Sequence, residues 1–368
     1  MGDRPVLLLD VDGTLIEDRA YRQALVLSAQ TICERRGLSV FAPTDHEINI
    51  LHSCGFSNEW DSLPFAVGIN LLHSHLSQNG HAGHGTGPDF GAWARRTQAF
   101  DGLPNERARD ALLAASPPAL HPDIHALLDD VRDPRTSLTT RLLYNFVLGA
   151  RRFEAHYGLA PEVETLSLLE MLDAPLLTTA GRACVLDHPS AIYTARPSLP
   201  PAGPPGLYQT PEAEIALGQL ELEHVPCMGL GPMQWLVDQF GGKLWDYAKP
   251  GPVQAIAAML SALGMPAQDA ALGAYQVTQV AQVAQDKAPI EGLSHLHGRH
   301  VYVFEDNAGG VRAAQQAGAR LAQAGVMVTI TGYGIAKDDA KRSALAQVCE
   351  RIFGDVNEAL AALTPLPM

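Results

Sequence analysis

Cysteine is scarce and unpaired in this 368-residue chain. The five present, Cys33, Cys54, Cys184, Cys227 and Cys349, are odd in number and never two or three residues apart. That argues against a disulfide framework and against a cysteine zinc site, and it fits thiols kept reduced in a cytosol. Long apolar runs are missing too. No window approaches the roughly 20 apolar residues of a membrane span. The first apolar run breaks at Asp10 and is too short for a secretory leader, so a cytoplasmic protein is expected. Positive charge is in deficit, with a formal net charge of −14. This excess of acid speaks against non-specific binding to nucleic acid or to an anionic membrane. An anionic small substrate stays open, because one cation or metal ion reverses the field locally. No internal repeat is visible, and nothing in the sequence sets an oligomeric state.

What is present is a globular composition, 46% apolar and 18% charged. "VLLL" at 6–9 is a continuous apolar run followed by turn residues, which reads as a parallel strand buried on both faces. Similar runs recur at 191–195 ("AIYTA"), 300–307 ("HVYVFEDN") and 325–331 ("GVMVTIT"). Helical patterns alternate with them. "TPEAEIALGQLELE" at 210–223 opens on a threonine cap with Pro211 at the first helical position. "PGPVQAIAAMLSALG" at 250–264 runs to a glycine, and "AGGVRAAQQAGA" at 308–319 follows the third run directly. This alternation predicts an α/β fold, a doubly wound and mostly parallel sheet. Residues 20–180 lack strong strands and carry helical spacing at 21–37, 107–115 and 139–158. The expected organisation is an α/β core of 1–18 and 180–368 with a helical domain, 19–179, inserted after the first strand. A further helix and connector are expected within 265–298, and a terminal helix from Lys337 to Leu363.

The chemistry gathers where strands end. In an open α/β sheet, ligands sit beyond the carboxyl ends of the strands, and Asp10 and Asp12 fall there. Two carboxylates so close repel each other unless a cation sits between them, and hard oxygen donors favour Mg²⁺. A carboxylate can also act as a nucleophile. A helix cap or a structural calcium loop is the plainer alternative for the same residues. Three more signals bear on the choice. Glu305 and Asp306 end the third run, Thr194 ends the second with a hydroxyl able to donate to a phosphoryl oxygen, and Lys249 precedes a helix start where an ammonium can face an anion. Asn307 is placed to cap the helix at 308.

In that order, "LLLDVDGTL", "IYTARPS", "KPGPVQAI" and "YVFEDNAGGVRAAQQAG" resemble the four motifs of the haloacid dehalogenase (HAD) superfamily. The last is close to the Glu-Asp form of phosphoglucomutase-like members, in which a helical C1 cap lies between the first two motifs. The resemblance covers the core, and "CGFSNEWDSL" and "RRFEAHYG" are similar to cap elements of some HAD phosphatases. It implies a HAD-like Rossmannoid core and a phosphoric monoester hydrolase acting on a small phosphorylated substrate. Asp10 would form an aspartyl phosphate, and Asp12 would act as acid and then base. Mg²⁺ would be held by Asp10, the Asp12 carbonyl, Asp306 and Glu305, with Thr194 and Lys249 holding the transferring oxygens. The aspartate at position 12 favours phosphoryl transfer over dehalogenation. A phosphomutase of the same superfamily and a non-catalytic binding protein of this fold are the alternatives.

The remaining candidates are for substrate contact. Arg196 closely follows Thr194 within the second motif and is expected to bind a substrate anion, with a surface salt bridge as the alternative. In the insertion, Phe56, Asn58 and Trp60 form the most unusual cluster, and Asn58 and Trp60 are expected to select substrate. His73, His75, His81 and His84 sit in and beside the Gly-rich stretch 78–91, where loose spacing argues against a metal site.

Overall fold

The computed structural model describes residues 4–56, 58–79, 87–280 and 292–363. The core sheet contains β1 (Val6–Leu9), β4 (Ser190–Tyr193), β5 (Cys227–Met228), β6 (His300–Glu305), β7 (Thr329–Ile335) and β8 (Arg351–Phe353). A separate antiparallel pair is made by β2 (Ile16–Glu17) and β3 (Ala174–Pro175). The order in the large sheet is β5-β4-β1-β6-β7-β8, and every pairing in it is parallel.

Period-two alternation explains why β1 is apolar throughout. Val6 and Leu8 enter one buried cluster, lined by the helices Leu230–Phe240, Pro252–Ala262, Ala267–Val280 and Ala308–Gln323. Leu7 and Leu9 enter the other, with the helices Glu212–Leu220 and Val356–Ala361. The sheet is therefore doubly wound, as the alternation of runs predicts. Successive strands step from β1 to β4 and β5 on one side, then cross to β6 on the other. The reversal of order lies between β1 and β6, where open α/β sheets form their ligand site.

The chain divides into two compact units, Met1–Asp18 with Asp173–Met368, and Arg19–Leu172. The second boundary differs from the expected 179/180. Ala174–Pro175 pairs with Ile16–Glu17, so the return strand belongs to the core, and the helix Thr179–Asp187 runs across the expected position. The inserted unit is helical in its described residues, with main helices Ala20–Arg35, Asp45–Ser53, Glu59–Gln78, Pro104–Ala115, Leu138–Leu148 and Ala150–Tyr157. The helical pattern at 139–158 is broken at Gly149, which adopts φ +79 and where a Cβ would lie 2.6 Å from the Ser167 nitrogen.

Three other expectations shift. The strand read at 325–331 is Thr329–Ile335, carrying Gly332 and Gly334 inside it. The expected terminal helix is a helix Asp339–Leu345, the strand β8 and a helix Val356–Ala361. Thr210 does not cap the helix that follows; its hydroxyl bonds Glu212, and the helix begins at Glu212. The expected extra helix is Ala267–Val280, whose Ala270, Ala271 and Ala274 are buried in the core. Residues 281–291 of the connector, and His81 and His84, lie outside the described residues. Among the described residues no helix is long and apolar enough to cross a membrane.

Candidate active site

Strand register builds the site. Leu9 is opposite Ile192 on β4 and Phe304 on β6, so the residues that follow, Asp10, Tyr193-Thr194 and Glu305-Asp306, emerge together. The Asp10 amide donates to the Phe304 carbonyl at 3.0 Å, which carries the β1–β6 pairing one residue past the strand. Gly13 then turns the chain with φ +71. A Cβ there would lie 2.4 Å from Asp306 Oδ2, so only glycine lets this turn close against the acid.

Asp10 is 6% exposed and Glu305 1%. The Lys249 ammonium lies between them, donating to Asp10 Oδ1 at 2.8 Å and to Glu305 Oε1 at 2.5 Å. It also stands 4.2 Å above the centre of the Tyr193 ring. Burial pushes the Asp10 and Glu305 carboxyls above their ordinary range; Lys249 pulls both down, while neighbouring acids push them further up. Burial also works against the Lys249 charge, but Asp10 and Glu305 outweigh it and hold the ammonium protonated. One ammonium thus serves two buried acids, and further positive charge at this edge relieves them. Lys341, from the helix Asp339–Leu345, bonds Asp306 Oδ2 from the solvent side.

Asp10, Glu305 and Asp306 can each offer an oxygen within 4.8 Å of the others, a cluster able to hold a metal ion. The donor set is all carboxylate, which suits a hard dication. The Asp12 carboxylate is not one of the three; it is held by Arg196.

Thr194 is fully buried, and its Oγ1 accepts from the Arg196 amide at 3.1 Å. Gln254, also fully buried, ties the surrounding loops together. Its Nε2 donates to the Thr194 and Met228 carbonyls, each at 2.7 Å, and its Oε1 accepts from the Lys249 amide at 3.0 Å. The side chain that joins the second and third motifs was visible in "KPGPVQAI" as a polar residue on an otherwise apolar helix face. Asp173 and Lys341, by contrast, carry no local signal.

Seven of the nine expected site residues come together: Asp10, Asp12, Thr194, Arg196, Lys249, Glu305 and Asp306. Asn307 caps the helix Ala308–Gln323 as expected, accepting from the Gly309 amide at 2.7 Å. Arg196 departs from its expected task. It is 1% exposed, and its Nε and Nη2 are committed to the carboxylates of Asp12 and Asp173, so it does not present itself to a substrate anion.

Asn58 and Trp60 belong to the inserted unit. Asn58 is a helix cap: its Oδ1 accepts from the Asp61 amide at 3.0 Å at the start of Glu59–Gln78, and its Nδ2 donates to Asp61 Oδ2 at 3.0 Å. Trp60 is half-buried, with its ring packed on Tyr21 and Tyr144 at centroid distances of 5.9 and 5.5 Å. Both side chains make contacts within their own unit.

No family model and no curated protein matches the chain. Among solved structures it is similar to the X-ray structure of a Northeast Structural Genomics Consortium target, at 14% identity over 98% of each chain with a TM-score of 0.64. It also aligns with a hydrolase from Pseudomonas syringae at 12% identity over 98% of each chain, but a TM-score of 0.32 lends no support to either fold or chemistry. The first likeness shows the fold alone, and with the sheet order it defines the class: a doubly wound, parallel α/β core, in a chain that also carries an inserted helical unit.

Proposed function

We propose that this protein is a Mg²⁺-dependent phosphatase that hydrolyses a small phosphorylated metabolite through an aspartyl phosphate on Asp10. The observation that carries the reading is the double environment of Asp10. Its Oδ1 accepts from the Lys249 ammonium at 2.8 Å, and the same side chain lies within an ion's reach of Glu305 and Asp306. A cap or a structural ion loop has no use for a buried ammonium on one of its carboxylates.

In the proposed reaction an Asp10 oxygen attacks phosphorus in line. The bond from phosphorus to the leaving oxygen breaks, and Asp12 gives that oxygen a proton. A water then attacks phosphorus, its proton passes to Asp12, and Asp10 is released with inorganic phosphate. Lys249 and the Thr194 hydroxyl hold the phosphoryl oxygens. Asp10, Glu305 and Asp306, with the Asp12 carbonyl, would hold the metal. Bound there, Mg²⁺ offsets the repulsion between an anionic nucleophile and an anionic substrate. The site fits such an ion because its donors are all hard oxygens and a glycine at position 13 keeps the Asp306 carboxylate clear.

The test is phosphate release from a panel of phosphorylated metabolites with Mg²⁺. Wild type should turn over at least one of them, and Asp10→Asn should lose about 10³-fold or more while keeping its melting transition. Near-normal release by Asp10→Asn rules out the covalent route. Sustained isomerisation of a sugar phosphate without phosphate release moves the reading to a phosphomutase.

A further inference from the structure

The Arg196 guanidinium is sealed in the core unit and joined to two carboxylates. Nε and Nη2 both donate to Asp12 Oδ1, at 2.8 and 2.5 Å, and Nη2 also donates to Asp173 Oδ2 at 2.8 Å. The Asp173 side chain is fully buried, while that of Asp12 remains 32% exposed. Asp173 is the residue at which the chain re-enters the core unit, immediately before the strand that pairs with Ile16–Glu17. Arg196 itself stands two residues beyond Thr194 and shares its loop through the bond from the Arg196 amide to Thr194 Oγ1. One guanidinium thus ties the carboxylate next to the proposed nucleophile to the point where the chain re-enters the core unit.

The pattern of donation is asymmetric. Both guanidinium bonds to Asp12 go to Oδ1. A pair of charge-assisted bonds to one oxygen anchors that oxygen, stabilises its charge and leaves the proton to travel on the other. We infer that Arg196 is a positioning residue that holds Asp12 so that Oδ2 is its acid–base oxygen, with Asp173 as the buried anchor of the guanidinium. This inference rests on the phosphatase reading. In the first step Oδ2–H gives its proton to the leaving oxygen as the phosphorus–oxygen bond breaks and the Asp10–phosphorus bond forms. In the second, Oδ2 takes a proton from water as the water–phosphorus bond forms and the Asp10–phosphorus bond breaks. Arg196 neither gains nor loses a proton.

A residue acting through Asp12 has a signature that a merely structural residue lacks. Loss of acid catalysis slows esters whose leaving alcohol is a poor leaving group and spares those whose leaving group departs as a stable anion. The experiment compares the first-turnover release of alcohol from glycerol phosphate and from p-nitrophenyl phosphate, with Mg²⁺. Arg196→Lys keeps the charge and loses the fork; Asp173→Asn is nearly isosteric and leaves both bonds to Asp12 in place. For Arg196→Lys the glycerol phosphate rate should fall by about 10²-fold, the scale of general acid catalysis, while the p-nitrophenol burst stays close to wild type. Asp173→Asn should give the same pattern with a smaller loss. Adding Arg196→Lys to Asp12→Asn should cost nothing beyond Asp12→Asn alone. Equal losses on the two esters, or an effect confined to KM, overturn the inference and leave the phosphatase reading standing. Wild type that releases alcohol from neither ester, nor phosphate from any other, overturns both. If Arg196→Lys does not fold, Asp173→Asn decides by the same comparison.

Discussion

Gly310 sits in the first turn of the helix Ala308–Gln323, where helix propensity alone favours alanine by about 0.8–1.0 kcal/mol. The packing demands the opposite. A Cβ at position 310 would lie 1.8 Å from Glu305 Oε1, 2.3 Å from its Cδ and 3.0 Å from its Cγ. Glu305 cannot swing into solvent to make room, because it is 1% exposed and its Oε1 holds Lys249. Overpacking of this kind costs about 1–3 kcal/mol, and losing one partner of a buried ion pair costs about 3–5 kcal/mol. Only part of that pair is lost if Lys249 keeps Asp10. Subtracting the propensity gain, Gly310→Ala should destabilise by about 2–4 kcal/mol. For a unit of this size that is a fall in Tm of about 5–15 °C. Thermal and urea melts measure it. The decisive arm is the Glu305→Ala background, in which the obstruction is gone and Gly310→Ala should turn neutral or stabilising by up to about 1 kcal/mol. Stabilisation in wild type, or an equal loss in both backgrounds, would refute the reasoning.

Two other expectations follow from the same geometry. Mg²⁺ at 100 times its dissociation constant should stabilise the fold by about 2.7 kcal/mol, or about 5–10 °C in Tm, and Asp306→Ala should remove most of that rise; an unchanged response in Asp306→Ala counts against the metal site. Asn58→Ala should cost about 1 kcal/mol of stability through loss of the helix cap, and a substrate-selective fall in kcat/KM at unchanged stability would restore the substrate-contact reading of Asn58.

The sheet was legible where its strands are apolar on both faces, because such strands read as unbroken runs. Glycine concealed the rest. The run read at 325–331 stops just short of Gly332, yet β7 continues through it: a Cβ at that position would lie 2.6 Å from Val311 Cγ1, so the glycine is there for close packing of a helix on a strand. Short edge strands such as Cys227–Met228 offer too few residues for any period. Within the site, Asp10, Thr194 and Glu305-Asp306 were legible because strand ends collect ligand chemistry. Asp173 was not, since nothing local distinguishes an aspartate that meets its arginine only through the tertiary fold. The capping role of Asn58 was not legible, because its sequence neighbours suggest recognition while its side chain bonds the backbone three residues on.

The pairing of Ile16–Glu17 with Ala174–Pro175 has an evolutionary consequence. In topology it is a β-hairpin whose connecting turn has been replaced by the whole of Arg19–Leu172. The entropy of closing a loop grows only with the logarithm of its length, about 0.6 kcal/mol per doubling. Insertions of very different size can therefore occupy this point without disturbing the register of the sheet. The two strands act as a socket: mutation, exchange or enlargement of what is plugged in leaves Asp10 and its neighbours where the parent sheet put them. By the same logic, closing the hairpin with a two- to five-residue turn should leave the register of the core sheet unchanged.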